Sequence, residues 1–356
     1  MNDASTEPDA YRSADLLGFA SRLLVHAGLA ADRAAVVAEV LLEGDLLGHT
    51  THGLALLAPY LREIETGGMQ TEGTWEVVAD RGAALTWDGR RLPGPWLVTQ
   101  AIEVALPRAE AHGTCTVVIR RSHHIACLAA YLQRVADRGK VLLLLTSDPN
   151  AASVAPFGGV RGLYTPNPIA AGFPTTGQPV LLDVSASTTT NGLTGRLRTE
   201  GRQLEHPWVL DGAGQPTRDP SALFTDPPGS ILPLGGMDSG HKGYALGLMV
   251  EALTAGLGGF GRADDKEGWG AAVFLQVLDP AAFGGADAFV RETGWLADAA
   301  RATPPVPGRD AVRLPGERGL ALRERQMQDG VRLYPAIMPA LVPWSQRLGV
   351  PAPTPL

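Results

Sequence analysis

Apolar residues recur at three- and four-residue spacing between Ser13 and Glu65. This predicts three helices: Ala14–Ala27, closed by Gly28; Asp32–Leu46; and Gly53–Glu65, closed by Gly67 and Gly68. Residues 1–12 show no period and read as disordered. Weak alternation over Trp75–Ala79 and Ala83–Trp87, around Asp80-Arg81-Gly82, predicts a hairpin. Helical spacing returns over Pro95–Ala111. The pattern then gives a strand at Thr114–Arg120, a helix at Ile125–Arg138 and a strand at Val141–Thr146. Ile169–Phe173 and Val180–Asp183 read as short strands, and Gly192–Asp226 has no clear period. Lys242–Leu257 is apolar almost all round, which predicts a buried helix. Ala271–Leu278 reads as a strand, Ala286–Arg301 as a helix and Leu320–Asp329 as a charged helix, before a proline-rich tail of 20 residues expected to wrap the surface. No repeat is visible. Strands and helices alternate irregularly, which favours α+β over a doubly wound sheet.

Composition narrows the class. The 356 residues are 45% hydrophobic, enough to bury a large core as two domains or one with an added layer. The net charge of -7 and the lack of a basic run argue against nucleic acid as a partner. Two cysteines, Cys115 and Cys127, exclude a disulfide framework and fit a reducing cytoplasm, the expected location. The acidic start Met1-Asn2-Asp3-Ala4 lacks the basic and apolar regions of a signal peptide. The apolar run Val141–Leu145 is far too short to span a bilayer, so no membrane partner is expected.

Several chemistries lack their motifs. Gly259-Phe260-Gly261-Arg262-Ala263-Asp264 misses the third glycine of a dinucleotide fingerprint and follows a helix, the wrong context. No phosphate-binding Gly-Lys-Ser/Thr loop, zinc-ligand spacing or serine-nucleophile motif occurs, and no metal is expected.

Four segments remain as candidates for chemistry. In Glu43–Tyr60 the helical pattern breaks at Gly48, and Thr50 or Thr51 is placed to cap the helix beginning near His52. A histidine at a helix N-terminus is disfavoured as imidazolium, which suits proton transfer near neutral pH; the plainer reading is a capped turn. Arg120-Arg121-Ser122-His123-His124 ends a strand, where cations and imidazoles can anchor an anionic carbonyl compound or simply form a solvated loop. Asp183 closes a short strand before a run of hydroxyl residues. There it can orient a histidine, bind a ribose or make a turn. Gly235-Gly236 and Lys242, before the apolar helix, offer a phosphate seat.

Together these segments resemble the malate/L-lactate dehydrogenase family of non-Rossmann NAD(P)-dependent oxidoreductases, over nearly the whole chain. The resemblance is carried by Thr51-His52-Gly53, Ser122-His123-His124, Asn167-Pro168-Ile169-Ala170 and Leu182-Asp183-Val184-Ser185-Ala186-Ser187. Asp211–Pro220, Lys242–Glu251, Leu314-Pro315-Gly316-Glu317 and Arg323-Glu324-Arg325 carry it further. It implies an α+β fold with a mainly antiparallel central sheet surrounded by helices, and a helical domain from both chain ends. The expected parts are an N-terminal helical part (1–74), a sheet-containing cofactor-binding domain (75–285), and C-terminal helices and tail (286–356) returning to the first part. It also implies a homodimer, a small-molecule substrate and NAD or NADP as cofactor. His52 is then expected as the proton donor, His124 as the group polarising the carbonyl, and Asp183 as the partner of His52 or of a cofactor hydroxyl. The cofactor would meet Asp183, Val184, Ser185, Ser187, His241, Lys242, Gly243, Pro315, Gly316 and Glu317. The substrate would meet Thr51, Leu56, Tyr60, Arg120 and Arg121.

The departures bear on the substrate. Many relatives carry arginine where Leu47 and Leu56 stand, the second expected on the substrate carboxylate, and Ala126 replaces a frequent glycine. The nearest subgroup resembles hydroxycarboxylate dehydrogenase B, which implies a 2-oxo acid with a bulky apolar side chain. Reduction of a cyclic imino acid and a non-catalytic nicotinamide-binding protein remain as rivals. Arg196, Arg198 and Arg202 are candidates for a ribose phosphate, or for a solvated loop.

Overall fold

The computed structural model describes residues 9–265 and 268–356. The N-terminal helices form as the spacing predicts: α1 (Ser13–His26), α2 (Ala31–Leu46) and α3 (Leu57–Glu65). α1 buries Leu16, Phe19, Ala20, Leu23 and Leu24, a single stripe. Gly28 closes its end at φ 107°, a conformation costly for a side chain. The third helix is shorter than expected, because Leu54–Leu56 form a 3₁₀ turn before it. Residues 1–8 lie outside the described residues. Ala10–Tyr11, within the segment read as disordered, instead pairs with Val331–Arg332 and joins the two ends of the chain. A two-residue strand shows no period.

Seven strands form the central sheet. Their spatial order is Glu76–Asp80, Ala84–Asp88, Thr114–Ser122, Ala271–Leu278, Val141–Ser147, Ile169–Phe173 and Val180–Val184. All neighbours are antiparallel except Ala84–Asp88 beside Thr114–Ser122. That parallel pair needs a crossover, and α4 (Gly94–His112) provides it. The main core joins Trp87, Ile102, Val117 and Leu275 of this layer to Leu41, Leu57 and Tyr60 of the N-terminal helices.

The predicted helix over 125–138 is mostly absent. Only a 3₁₀ turn at Leu128–Tyr131 and the short α5 (Leu132–Ala136) form. Residues 123 and 124 instead run against α4, where a Cβ on Gly94 would lie 2.3 Å from the His123 carbonyl oxygen. The unpatterned region contains α6 (Asn191–Thr199), whose N-cap Thr190 accepts from the Leu193 amide at 3.2 Å. It also holds Val209–Leu210 and Pro216–Thr217, which form a three-stranded sheet with Ser230–Ile231 just beyond it.

α7 (Gly236–Glu251) begins six residues before Lys242 and continues into a π turn, Ala252–Gly256. It is not a buried helix. Gly240, Gly243, Gly247 and Val250 form its buried seam, while Leu246, Leu248 and Met249 are 37%, 44% and 41% exposed. Glycines bring its backbone close to the body of the protein along one side and leave the leucines on the other.

α8 (Ala286–Ala302) and α9 (Glu317–Asp329) follow. The tail expected to wrap the surface instead forms α10 (Ile337–Leu348), which buries Ile337, Leu341 and Trp344 and packs on α1 and α3. Helices from both chain ends thus share one layer. Among the described residues no helix is long and apolar enough to cross a membrane.

Candidate active site

Ser122, Ser147, Asn167, Asp183 and Ala271 lie at one end of the central sheet, where five strands begin or end. The turn after α2 closes over this end and leaves a cleft of about 370 Å³. Thr51, His52, Leu56, His124, Asp183 and Ser185 line it, six of the residues expected from sequence.

His52 sits on the turn between α2 and α3. Neither threonine caps that turn. The Leu54 amide donates to Asp45 Oδ2 at 2.6 Å, and Thr51 Oγ1 lies 2.9 Å from His52 Nδ1. Asp45 belongs to the last turn of α2 and is buried against Gly53, where a Cβ would fall 2.3 Å from Oδ2. Burial pushes the Asp45 carboxyl up to about 7, against the Leu54 bond and the positive charge of Arg196. The same burial pushes His52 down to about 4, helped by His49 and Arg196. The neutral state expected for His52 therefore arises mainly from desolvation rather than from the helix terminus invoked in the sequence argument.

His124 faces His52 with ring centroids 5.9 Å apart and lies 4.7 Å from the Trp269 ring. Burial, His52 and His123 push it well below the usual histidine range. The Ala126 amide donates to His124 Nδ1 at 3.3 Å. Tyr60, fully buried, holds the same residue, its hydroxyl lying 2.9 Å from Nδ1 and donating to the His124 carbonyl at 3.0 Å. Tyr60 supports His124 and is not among the residues lining the cleft. The neighbouring His123 turns away, its Nε2 lying 3.3 Å from Glu63.

Asp183 Oδ2 accepts from the Ala129 amide at 3.0 Å and faces the Cys127 thiol at 3.9 Å. Burial raises its carboxyl, and His49 is the first group opposing that rise. Among the described hydrogen bonds none joins Asp183 to His52. The arrangement places Asp183 with His49 and the 127–129 turn.

Arg120 and Arg121 do not reach the cleft. Each donates through Nε to Asp88, at 3.0 Å. Asp88 is 3% exposed, and a buried carboxylate requires such partners. The cofactor candidates divide in the same way. Asp183 and Ser185 line the cleft, whereas Val184 points outward at 47% exposure. Ser187 donates to the Thr189 carbonyl at 2.7 Å and shapes its own turn. His241 and Lys242 are exposed on α7, and Gly243 is in contact with Leu234, outside the cleft. Pro315 accepts from the Leu181 amide, Gly316 packs on Leu181, and Glu317 binds Arg301 and the Leu314 amide; all three flank the Asp183 strand without lining the cleft.

The floor was not visible in sequence. Glu251 Oε1 accepts from Ser147 Oγ at 2.6 Å, Asn167 Nδ2 at 2.9 Å and Arg262 Nη2 at 2.8 Å. Asn167 thereby holds the Thr165–Pro168 loop that forms one wall. Trp269 and His49 were also missed. His49 carried a signal, lying three residues before His52, whereas Trp269 is far away in sequence.

A nicotinamide group fits this cleft. Thr165, Ser185 and Asn191 offer neutral polar donors and acceptors, and Gly192 leaves open a place where a Cβ would stand 3.7 Å from His52 Cε1. One set of side chains among the described residues has donor atoms close enough for a metal ion: those of His49, Cys127 and Asp183 lie within 4.8 Å of one another. Burial holds the Cys127 thiol well above its usual range.

The family model described as malate/L-lactate dehydrogenase matches residues 11–342. The chain is 36% identical over 338 residues to an L-lactate dehydrogenase of Cupriavidus necator, covering 91% of this chain and 93% of that one. It is 28% identical to hydroxycarboxylate dehydrogenase B of Escherichia coli K12, over 90% and 89% of the two chains. The solved structure of delta1-piperideine-2-carboxylate reductase from Pseudomonas syringae superposes with a TM-score of 0.82 at 28% identity, over 94% and 99% of the chains. By sequence and by fold the chain belongs to the malate/L-lactate dehydrogenase family, a family of hydroxy acid dehydrogenases.

Proposed function

We propose that the protein is an NAD(P)-dependent 2-hydroxy acid dehydrogenase that reduces 2-oxo acids with bulky apolar side chains. One observation carries the reading: two half-buried histidines, their imidazolium forms disfavoured by desolvation, face each other 5.9 Å apart in a cleft whose described lining contains no arginine or lysine. A bound nicotinamide supplies or accepts the hydride. His124 donates a hydrogen bond from Nε2 to the carbonyl oxygen. His52 delivers a proton to the same oxygen as it becomes an alcohol, and takes it back in the reverse direction. Because burial disfavours its imidazolium, a proton carried by His52 is readily given up. Trp269, Leu56 and Leu128 provide apolar wall, and water exclusion strengthens both interactions. Asp183 and Ser185, with Thr190–Gly192, are the residues best placed to hold the cofactor.

The absence of a described cation in the lining favours an apolar side chain over a second carboxylate, which would lose its hydration uncompensated. A second reading is a cyclic imino acid reductase, supported by the similarity to the piperideine carboxylate enzyme. A non-catalytic nicotinamide-binding protein is the third. One panel separates them: oxidation of NADH and of NADPH with phenylpyruvate, pyruvate, oxaloacetate and piperideine-2-carboxylate. Phenylpyruvate is expected to be the best substrate. Faster turnover of oxaloacetate would overturn the account of the pocket, faster turnover of the imine would establish the second reading, and cofactor binding without turnover the third.

A further inference from the structure

The turn carrying His52 is held from two sides. On one side the Leu54 amide is pinned to Asp45. On the other, α6 brings Arg196 across 146 positions of sequence: Nη1 donates to Thr50 Oγ1 at 2.8 Å and Nη2 to the Thr50 carbonyl at 2.7 Å. The guanidinium also lies on the Tyr334 ring, 3.7 Å from its centroid, and the Tyr334 hydroxyl donates to Glu200, four residues further along the chain from Arg196. Stacking and both hydrogen bonds therefore fix its plane. Gly192, on the same helix, sits where a Cβ would be 3.3 Å from Thr51 Cβ, so α6 abuts the turn directly. Thr51 in turn contacts the His52 ring.

We infer that Arg196 is a positioning residue for the proton-transfer site, a two-pronged clamp that sets the turn bearing His52, and not a reader of a cofactor phosphate. The inference rests on the proposed role of His52. Only a planar, two-donor cation can satisfy a hydroxyl and a carbonyl of one residue at once while lying flat on a ring; an ammonium has neither the plane nor the fork. The other arginines of this stretch have different duties. Arg198 lies 4.1 Å from the Phe224 centroid, and Arg202 pairs with Glu200 at 3.1 Å.

The test uses the full chain with Arg196→Lys, which keeps the charge and loses the fork, and Tyr334→Leu, which removes the stacking platform together with the hydrogen bond from Tyr334 to Glu200. Three quantities are measured: the imidazole NMR resonances of His52, identified by their loss in His52→Gln; kcat with the preferred substrate; and Kd for NADH and NADPH. Arg196→Lys is expected to move the His52 resonances and to lower kcat by about tenfold or more, as small misplacements of a reacting group do. Both cofactor affinities should stay unchanged. Tyr334→Leu should act in the same direction but more weakly, and it decides the matter if the lysine variant does not fold. Unchanged His52 resonances, or a loss of affinity confined to NADPH, would overturn the inference. If no 2-oxo acid is turned over, the proposed function fails, while the resonances still decide the role of Arg196.

Discussion

At the scale of single residues, His52 and Asp45 show one cause acting on opposite charges. Burial makes the histidine easier to deprotonate and the carboxyl harder, moving them to about 4 and about 7. His52→Gln is expected to lower turnover by about a hundredfold or more, the scale of a lost general acid, with cofactor Kd unchanged. In hydroxy acid oxidation the neutral ring is the acceptor, so the rate should rise as pH passes upward through about 4 and then level off. In reduction the protonated ring is the donor, so the dependence reverses and the rate falls as pH rises. A pH-rate profile in both directions checks the sign; a rise centred instead near the ordinary histidine value in the oxidation direction would assign the proton to another group. For Asp45 the folded value lies above the unfolded one near 3.8, so its contribution to stability is present below that value and is lost as pH rises towards about 7. Asp45→Asn keeps an acceptor for the Leu54 amide and removes the ionisation. Thermal melts should therefore show the variant gaining on the parent between pH 4 and 7. A constant difference across that window would mean that Asp45 does not titrate there.

At the scale of elements, α7 illustrates how a helix is placed by what it lacks. A Cβ on Gly243 would fall 2.3 Å from the Leu234 amide nitrogen, and one on Gly247 would fall 2.5 Å from the Tyr164 ring. Gly243→Ala must push the helix off its seat, at an expected cost of about 1–3 kcal/mol by denaturant titration. Lys242→Ala, next to it but exposed, should leave stability unchanged. As a proposed phosphate contact, Lys242 should instead weaken cofactor binding when replaced; equal cofactor affinity by titration would confine this segment to a packing role. The His52 turn is the converse case, an element with no cap of its own that is held by Asp45 behind and Arg196 in front.

At the scale of the whole molecule, the exposed apolar side of α7 presents Leu246, Leu248 and Met249 to the surroundings, with Leu257 beyond them at 56% exposure. We propose this stripe as an association surface, with a second copy of the chain, which the family resemblance implies, as its occupant. Light scattering should give twice the 37.4 kDa chain mass, and Leu248→Asp should return it towards the single value; a monomeric parent chain would refute the homodimer. The hydropathy pattern determined most of the long helices and all seven strands of the central sheet, because most of these elements bury at least one face and write it into the chain. His52, His124 and Asp183 drew attention for another reason: they stand in the local motifs Thr51-His52-Gly53, Ser122-His123-His124 and Leu182-Asp183-Val184-Ser185. Arg120 and Arg121 were equally prominent in sequence, and only the adjacent strand showed that Asp88 takes both. The partner of Asp183, the Glu251 network under the cleft, the approach of Trp269 to His124 and the grip of Arg196 on Thr50 were decided by tertiary structure alone. Each joins residues distant in sequence through hydrogen bonds or ring contacts that leave no period, and their geometry exists only once the sheet has brought its strand ends together.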